Sequence, residues 1–107
     1  MIYTPKIKKA MIIAYNAHNG QVDKSGIPYI YHPIHLAEQM NTETECIVAL
    51  LHDVVEDTEV TYEDIEREFG KEIADMVDGV TKLKQIGHAS IEENQVENYR
   101  KMFLAMG

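Results

Sequence analysis

Apolar residues near the start of the chain recur every three or four positions, which is the spacing of one face of an α-helix. Thr4 followed by Pro5 is typical of a helix start, because threonine caps free amides and proline is tolerated in the first turn. Asn19-Gly20 ends the pattern. The sequence therefore predicts a first helix from Pro5 to about His18. Its inner face carries Ile7, Ala10, Met11, Ala14, Ala17 and His18.

The next segment predicts a loop and then a short helix. Residues 21–32 contain Gly26, Pro28 and the run Tyr29-Ile30-Tyr31, which indicates an ordered loop rather than a pair of strands. A short helix is expected from Pro33 to about Met40.

The most apolar segment predicts the central helix of the fold. Thr42 and Glu45 have the spacing of a capping box, and the residues from Cys46 to Leu51 are apolar on nearly every side. Because such a helix has no polar face to turn towards water, we expect it to be buried.

The second half of the chain predicts three further helices. Thr61 with Asp64 begins a short one, Gly70 separates it from the next, and Ser90 with Glu93 begins the last. Residues 80–89 are expected to form a mobile loop. Together these elements predict an all-α fold of five to six helices in a single domain, residues 1–107.

Length, charge and cysteine content narrow the classes of function. A chain of 107 residues fits one domain, and its net charge of −8 would repel a nucleic-acid backbone, which excludes that partner. No apolar run is long enough to span a membrane and no leader pattern is present, which indicates a soluble, cytoplasmic protein. Cys46 is the only cysteine, so any metal site must use histidine and carboxylate ligands.

The apolar run of the central helix ends in a group of acids. Asp53, Glu56, Asp57 and Glu59 follow His52 where the helix should finish, and the negative end of the helix dipole is unfavourable for them. A divalent cation would offset the repulsion, and His52 lies four residues before Glu56, on the same helical face. The alternative is a solvated helix end with a histidine bonded within the core.

Three residues have the chemistry of metal ligands. His32, at a loop-to-helix junction, joins His52 and Asp53 to offer two imidazoles and a carboxylate, a set suited to Mn²⁺, Fe²⁺ or Zn²⁺. Glu56 and Asp57 are expected to orient or deprotonate an attacking water. The alternative for these two acids is a turn held by an Asx-type bond at Asp57-Thr58.

The turn Lys24-Ser25-Gly26 is the best anion-binding candidate in this acidic chain, although a solvated surface lysine is the alternative. The remaining histidines are not assigned to metal. His18 is expected to satisfy carbonyls at the end of the first helix, His35 to lie on the surface and His88 to lie in the mobile loop.

Several motifs occur in the order and near the spacing of a known family. They are residues 17–21 (AHNGQ), 24–26 (KSG), 28–33 (PYIYHP), 49–58 (ALLHDVVEDT), 78–83 (DGVTKL) and 95–102 (QVENYRKM). Over nearly the whole chain they resemble the N-terminal HD hydrolase domain of the RelA/SpoT homologues. The resemblance implies an all-α HD-domain fold and Mn²⁺-dependent hydrolysis of the 3′-pyrophosphate of guanosine tetraphosphate or pentaphosphate.

The resemblance also implies roles for particular residues. It makes His32, His52 and Asp53 the metal ligands and Glu56 and Asp57 the catalytic acidic pair. It places Lys24, next to Ser25, in the loop that lines the nucleotide pocket.

The chain departs from the family pattern at two places. Asp23 stands where the family usually has an arginine that packs on guanine, which puts guanine specificity in doubt. The chain also ends at Gly107, before a further aspartate ligand and a substrate-contacting asparagine. We therefore expect an incomplete domain whose activity is weak or absent.

Three interpretations remain open at this point. The chain is an alarmone hydrolase, an HD-type hydrolase of another phosphorylated nucleotide or metabolite, or a non-catalytic regulatory module. Self-association is expected if a second copy covers the last predicted helix, whose apolar face carries Tyr99, Met102, Phe103 and Met106.

Overall fold

The computed structural model describes residues 2–85, and within them the chain is helical. The helices are α1 Pro5–Ala17, α2 Tyr31–Glu38, α3 Glu43–Leu51, α4 Val54–Asp57, α5 Tyr62–Phe69 and α6 Lys71–Gln85. Within residues 2–85, Val22 and Pro28 form an isolated antiparallel β-bridge. The predicted all-α fold is confirmed. The helix predicted from Ser90, and the self-association expected through it, lie outside the described residues.

Threonine side chains begin α3 and α5 as the sequence predicted. At α5 the capping box is complete, because Thr61 Oγ1 accepts from the Asp64 amide (3.2 Å) and Asp64 Oδ2 accepts from the Thr61 amide (3.0 Å). At α3 only half of the box forms. Thr42 Oγ1 accepts from the Glu45 amide (3.1 Å), but Glu45 Oε1 accepts from the amide of Asn41, one residue earlier than the pattern predicts (3.1 Å).

Helix α3 is the buried centre of the fold, as predicted. Every residue from Cys46 to Leu51 is buried, and α3 packs against α1, α2 and α6. Burying each leucine side chain stabilises the fold by roughly 1.5–3 kcal/mol. Burial also raises the pKa of the Cys46 thiol, which stays protonated and donates to the carbonyl of Ala37 (3.4 Å) in α2.

Two predicted boundaries are wrong. Helix α2 begins at Tyr31, two residues before Pro33. Proline is tolerated at this position because it lacks only a backbone N–H, and the N–H groups of the first turn have no partner within the helix. His32 therefore lies within the first turn of a helix. Helix α6 continues past Val80 to Gln85, so residues 80–85 are helical rather than part of a loop, and residues 86–89 lie outside the described part.

Among residues 2–85, no helix combines the length and the apolar character that crossing a bilayer requires.

Candidate metal centre

The candidate site lies where the central helix ends. Helix α3 stops at Leu51, His52 and Asp53 form the turn, and α4 follows directly. Both turn residues keep right-handed helical dihedral angles, so the chain leaves α3 without a wide loop. The exposed fraction is 0 % for His52 and 3 % for Asp53. Because a buried carboxylate is costly unless it is paired, this site requires a positive or hydrogen-bonding partner for Asp53.

The acids after His52 do not crowd the end of one helix, so that prediction is wrong. Glu56 and Asp57 lie exposed in the separate four-residue helix α4, which begins after Asp53 and has little dipole of its own. His52 is buried whereas Glu56 is exposed, and Glu56 does not join the group of candidate ligands. The case for a cation therefore rests on the buried Asp53 rather than on the helix end.

The ring of His52 is held in one orientation by the backbone. Its Nδ1 lies 2.5 Å from the carbonyl oxygen of Ala49, and since a carbonyl only accepts, Nδ1 carries the hydrogen. If Nε2 carries no hydrogen, its lone pair faces a lone pair of Asp53 Oδ2, 2.9 Å away. Two lone pairs this close repel each other unless a proton or a metal ion lies between them.

His32 completes a group of three donors. Its Nε2 lies 4.0 Å from Oδ2 of Asp53, and its side chain is 31 % exposed, so the site has one open side. One donor atom from each of His32, His52 and Asp53 lies within 4.8 Å of the others. Two donors that share an ion at about 2.1 Å lie at most about 4.2 Å apart, so metal binding requires the three side chains to close by at least roughly half an ångström. The structure brings the three predicted ligands together, and the donor set fits a divalent transition metal.

The turn after the acidic pair is held by a hydroxyl. Thr58 Oγ1 donates to the carbonyl of Val54 (2.5 Å) and accepts from the amide of Val60 (3.2 Å). The carbonyl of Asp57 accepts from Nε2 of Gln21 (3.2 Å), which ties α4 to the loop after α1. These contacts fix the backbone that carries the predicted catalytic acids.

Lys24 and Ser25 lie in an ordered loop, as the sequence predicted for residues 21–32. One oxygen of Asp23, Oδ1, accepts from the amides of Ser25 (2.8 Å) and Ile27 (3.0 Å). Gly26 has a φ of 82°, in the left-handed region that glycine adopts without strain. Asp23 therefore holds the shape of the loop, a structural role that the sequence did not reveal.

The loop lines an open cavity of about 750 Å³, which one of the three donors, His32, also lines. Its lining includes Lys24, Ser25, Tyr29, Tyr31 and His32. The predicted substrate-binding residues and one of the predicted metal ligands thus share one cavity.

Sequence reasoning missed Tyr29, which it placed only within an aromatic run of the loop. The hydroxyl of Tyr29 donates to Oδ2 of Asp53, so this tyrosine belongs to the site. His18 also differs from expectation, because its buried ring bonds through Nδ1 to Oε1 of Gln21 (2.9 Å) rather than to backbone carbonyls. The one available signal was the position of Tyr29 three residues before His32.

A helical scaffold that buries an adjacent histidine and aspartate beside a second histidine defines the HD-domain class. The sequence model of the HD domain matches residues 10–107, and the chain belongs to this family.

The individual relatives are more specific. The chain is 45 % identical over 105 residues to the bifunctional (p)ppGpp synthase/hydrolase SpoT of Escherichia coli strain K12, which covers 94 % of this chain and 15 % of that protein. It is 48 % identical over 99 residues to a guanosine-3′,5′-bis(diphosphate) 3′-pyrophosphohydrolase of Haemophilus influenzae, covering 89 % and 15 % of the two chains.

A solved structure supports the same relationship. It is that of a metazoan orthologue of SpoT described as hydrolysing ppGpp, with a TM-score of 0.70, 30 % identity and coverage of 92 % of this chain and 60 % of that chain. These comparisons confirm the predicted HD-domain fold and the resemblance to RelA/SpoT proteins. The chain spans about 15 % of the length of the curated relatives it matches.

Proposed function

We propose that this chain, as a single HD-type domain, hydrolyses the 3′-pyrophosphate of guanosine tetraphosphate or pentaphosphate in the cytoplasm. The observation that carries the proposal is the buried His52–Asp53 pair with His32 beside it. The activities described for the relatives support the substrate class, because they include hydrolysis of the guanosine 3′-pyrophosphate.

We infer that His32, His52 and Asp53 hold a divalent metal ion, with Mn²⁺ as the first choice. When bound, such an ion stabilises charge on a phosphoryl oxygen and makes water a better nucleophile. The donors present fit this ion because imidazole and carboxylate both suit first-row metals. A dication also counters the repulsion between a phosphorylated substrate and a chain of net charge −8.

The remaining predicted residues act on the substrate and on water. Lys24 pairs with phosphate, and Ser25 donates a hydrogen bond from the same loop. Asp57, with Glu56 beside it, accepts a proton as the water oxygen bonds to phosphorus. The bond between that phosphorus and the ribose 3′ oxygen breaks, the 3′ oxygen takes a proton from solvent water to become a hydroxyl, and pyrophosphate and guanosine diphosphate or triphosphate are released.

A related candidate is hydrolysis of another phosphorylated nucleotide, and one observation favours it. The side chain of Asp23 accepts hydrogen bonds from the loop backbone. As a carboxylate it cannot stack on a base as a cation would. A non-catalytic regulatory module is the remaining alternative, and the following assay distinguishes it from a hydrolase.

The test is a single-turnover assay with the 107-residue chain in excess over guanosine tetraphosphate, with and without Mn²⁺. We expect slow, Mn²⁺-dependent release of guanosine diphosphate and pyrophosphate in equal amounts. Other nucleoside polyphosphates run in parallel identify the base preference. Absence of product under these conditions would refute the hydrolase and favour the regulatory module, whereas rapid turnover would contradict only the expected slowness.

A further inference from the structure

The carboxylate of Asp53 has a partner outside the donor group, and that partner is Tyr29. The tyrosine hydroxyl donates to Oδ2, the same oxygen that lies 2.9 Å from His52 Nε2 and 4.0 Å from His32 Nε2. Three side chains from three different segments therefore converge on one buried oxygen. His32 and His52 are themselves candidate ligands, whereas Tyr29 is not. The hydroxyl of Tyr29 therefore orients the Asp53 oxygen from the side of the loop.

The tyrosine ring is itself held on two sides. Its centroid lies 4.8 Å from the ring of His18 and 5.6 Å from the ring of His32. The Tyr29 amide also donates to the carbonyl of Gln21 (2.9 Å), which fixes the backbone beneath the ring. A ring restrained in this way presents its hydroxyl at a defined place rather than sampling several.

The support behind the ring extends to α4. Gln21 accepts from Nδ1 of His18 (2.9 Å) through Oε1, and its Nε2 donates to the carbonyl of Asp57 (3.2 Å). A single glutamine thus braces the histidine that packs on Tyr29 and the helix that carries the predicted acids.

Simple core packing does not explain this arrangement. His18 is 2 % exposed, and within residues 2–85 its Nε2 has no hydrogen-bond partner. Burying an unsatisfied nitrogen is destabilising, whereas an apolar side chain would fill the same space without that loss. The contact of His18 Nδ1 with Gln21 instead holds the His18 ring against Tyr29.

We propose that Tyr29 is a positioning residue for the metal site, which fixes the Asp53 carboxylate towards the ion while His18 and Gln21 fix the tyrosine. This rests on the proposed function, because it takes His32, His52 and Asp53 as the ligands. Hydrogen bonds from outer residues to ligating carboxylates commonly tune metal affinity, and their loss lowers it by about 10–100-fold. We expect a change of that size from the loss of one hydroxyl.

The experiment compares two tyrosine-to-phenylalanine variants of the full chain. Tyr29→Phe keeps the ring and deletes the hydroxyl. Tyr62→Phe is the matched control, because the Tyr62 hydroxyl donates to Asp75 in the same kind of pair, between α5 and α6. Mn²⁺ affinity is measured from the electron paramagnetic resonance signal of the free ion, and folding is checked by circular dichroism.

The expected result is that Tyr29→Phe weakens Mn²⁺ binding by about 10–100-fold, whereas Tyr62→Phe leaves it within about twofold. Equal affinity of Tyr29→Phe and the parent would overturn the proposal, even if both variants melt at a lower temperature. A parent chain that binds no Mn²⁺ would overturn it as well. A parent chain that binds Mn²⁺ but releases no pyrophosphate would refute the proposed function. The role of Tyr29 would then still be decided by comparing the Mn²⁺ affinities of the parent and Tyr29→Phe.

If Tyr29→Phe does not fold, Gln21→Leu provides the second variant. It removes the brace behind His18 and keeps the tyrosine hydroxyl. We expect a smaller loss of Mn²⁺ affinity, at least about threefold, on the same outer-residue argument. Unchanged affinity in a folded Gln21→Leu protein would then count against the proposal.

Discussion

Nε2 of His52 lies 2.9 Å from Oδ2 of Asp53, although successive side chains of a helix diverge by about 100°. The two side chains converge over the groove between them, at the turn where α3 ends and α4 begins. Their separation is close to the roughly 3.0 Å expected of two donors at right angles around an ion about 2.1 Å away. Metal binding should therefore depend on His52 more than on any exposed histidine.

Replacing His52 by alanine should abolish Mn²⁺ binding. The parent chain, at a Mn²⁺ concentration a hundred times its dissociation constant, should gain about 2.7 kcal/mol of unfolding free energy from the ion. His52→Ala should gain nothing measurable. Urea unfolding with and without Mn²⁺ measures both values.

The matched control for this prediction is His35→Ala. His35 is exposed on α2, where its Nε2 lies 3.0 Å from Nε2 of Gln39, and it does not belong to the donor group. It should therefore keep the full Mn²⁺-dependent gain. Equal losses in the two variants would show that the ligands are assigned wrongly.

Local signals in the sequence were sufficient to predict most of the fold. The caps at Thr42 and Thr61 are read from neighbouring residues, and the burial of α3 follows from its continuous apolar run. The start of α2 and the break after Leu51 were not predicted. They depend on how helices pack together, and a one-dimensional pattern does not contain that information.

The candidate site shows the same division. Residue type and family resemblance were enough to propose His32, His52 and Asp53, because few side chains have metal-binding chemistry. The contact between Tyr29 and Asp53 joins residues 24 positions apart, and it exists only once the loop has folded against the end of α3. Tyrosine is also intermediate in burial, so its type alone carried no signal for the site.

Replacing Asp57 by asparagine should separate metal binding from chemistry. The variant keeps the shape of α4 but loses the base that accepts the proton of water. The rate of pyrophosphate release in the single-turnover assay should fall by about 10²-fold or more. If the parent is slow, the rate of the variant should equal the background rate. Mn²⁺ affinity should stay within about twofold of the parent, since Asp57 is not in the donor group.

The control for Asp57 is Glu59→Gln, a neighbouring exposed acid beyond the end of α4. It should retain the turnover of the parent. A loss in Glu59→Gln as large as that in Asp57→Asn would indicate that overall negative charge matters, and not a particular base.

The capping box of α5 should make stability fall in acid. A hydrogen bond from the Thr61 backbone amide, followed by one from Arg67, holds the pKa of Asp64 below its ordinary value. A lowered pKa means that the folded state favours the ionised carboxylate, so its stabilisation is complete above about pH 4 and is lost as the pH falls through the folded value. The difference in Tm between the parent and Asp64→Asn should be largest near neutral pH and shrink as the pH falls below about 4.

The control is Glu63→Gln, in the same first turn but outside the capping box. Its difference in Tm from the parent should be smaller at every pH. A difference between parent and Asp64→Asn that persists unchanged to pH 2 would rule out the carboxylate as its source.

Replacing Leu50 by alanine should test whether α3 is the centre of the core. Leu50 is fully buried, so the substitution removes apolar contacts and leaves a cavity, at a cost of about 2–5 kcal/mol in unfolding free energy. Ile12→Ala is the matched control, because Ile12 is 62 % exposed on α1 and its loss should cost less than about 0.5 kcal/mol. Urea unfolding of both variants without metal measures the two costs. Similar costs would mean that α3 is not the buried centre of the core. The inference that α3 rigidly supports His52 and Asp53 would then be wrong.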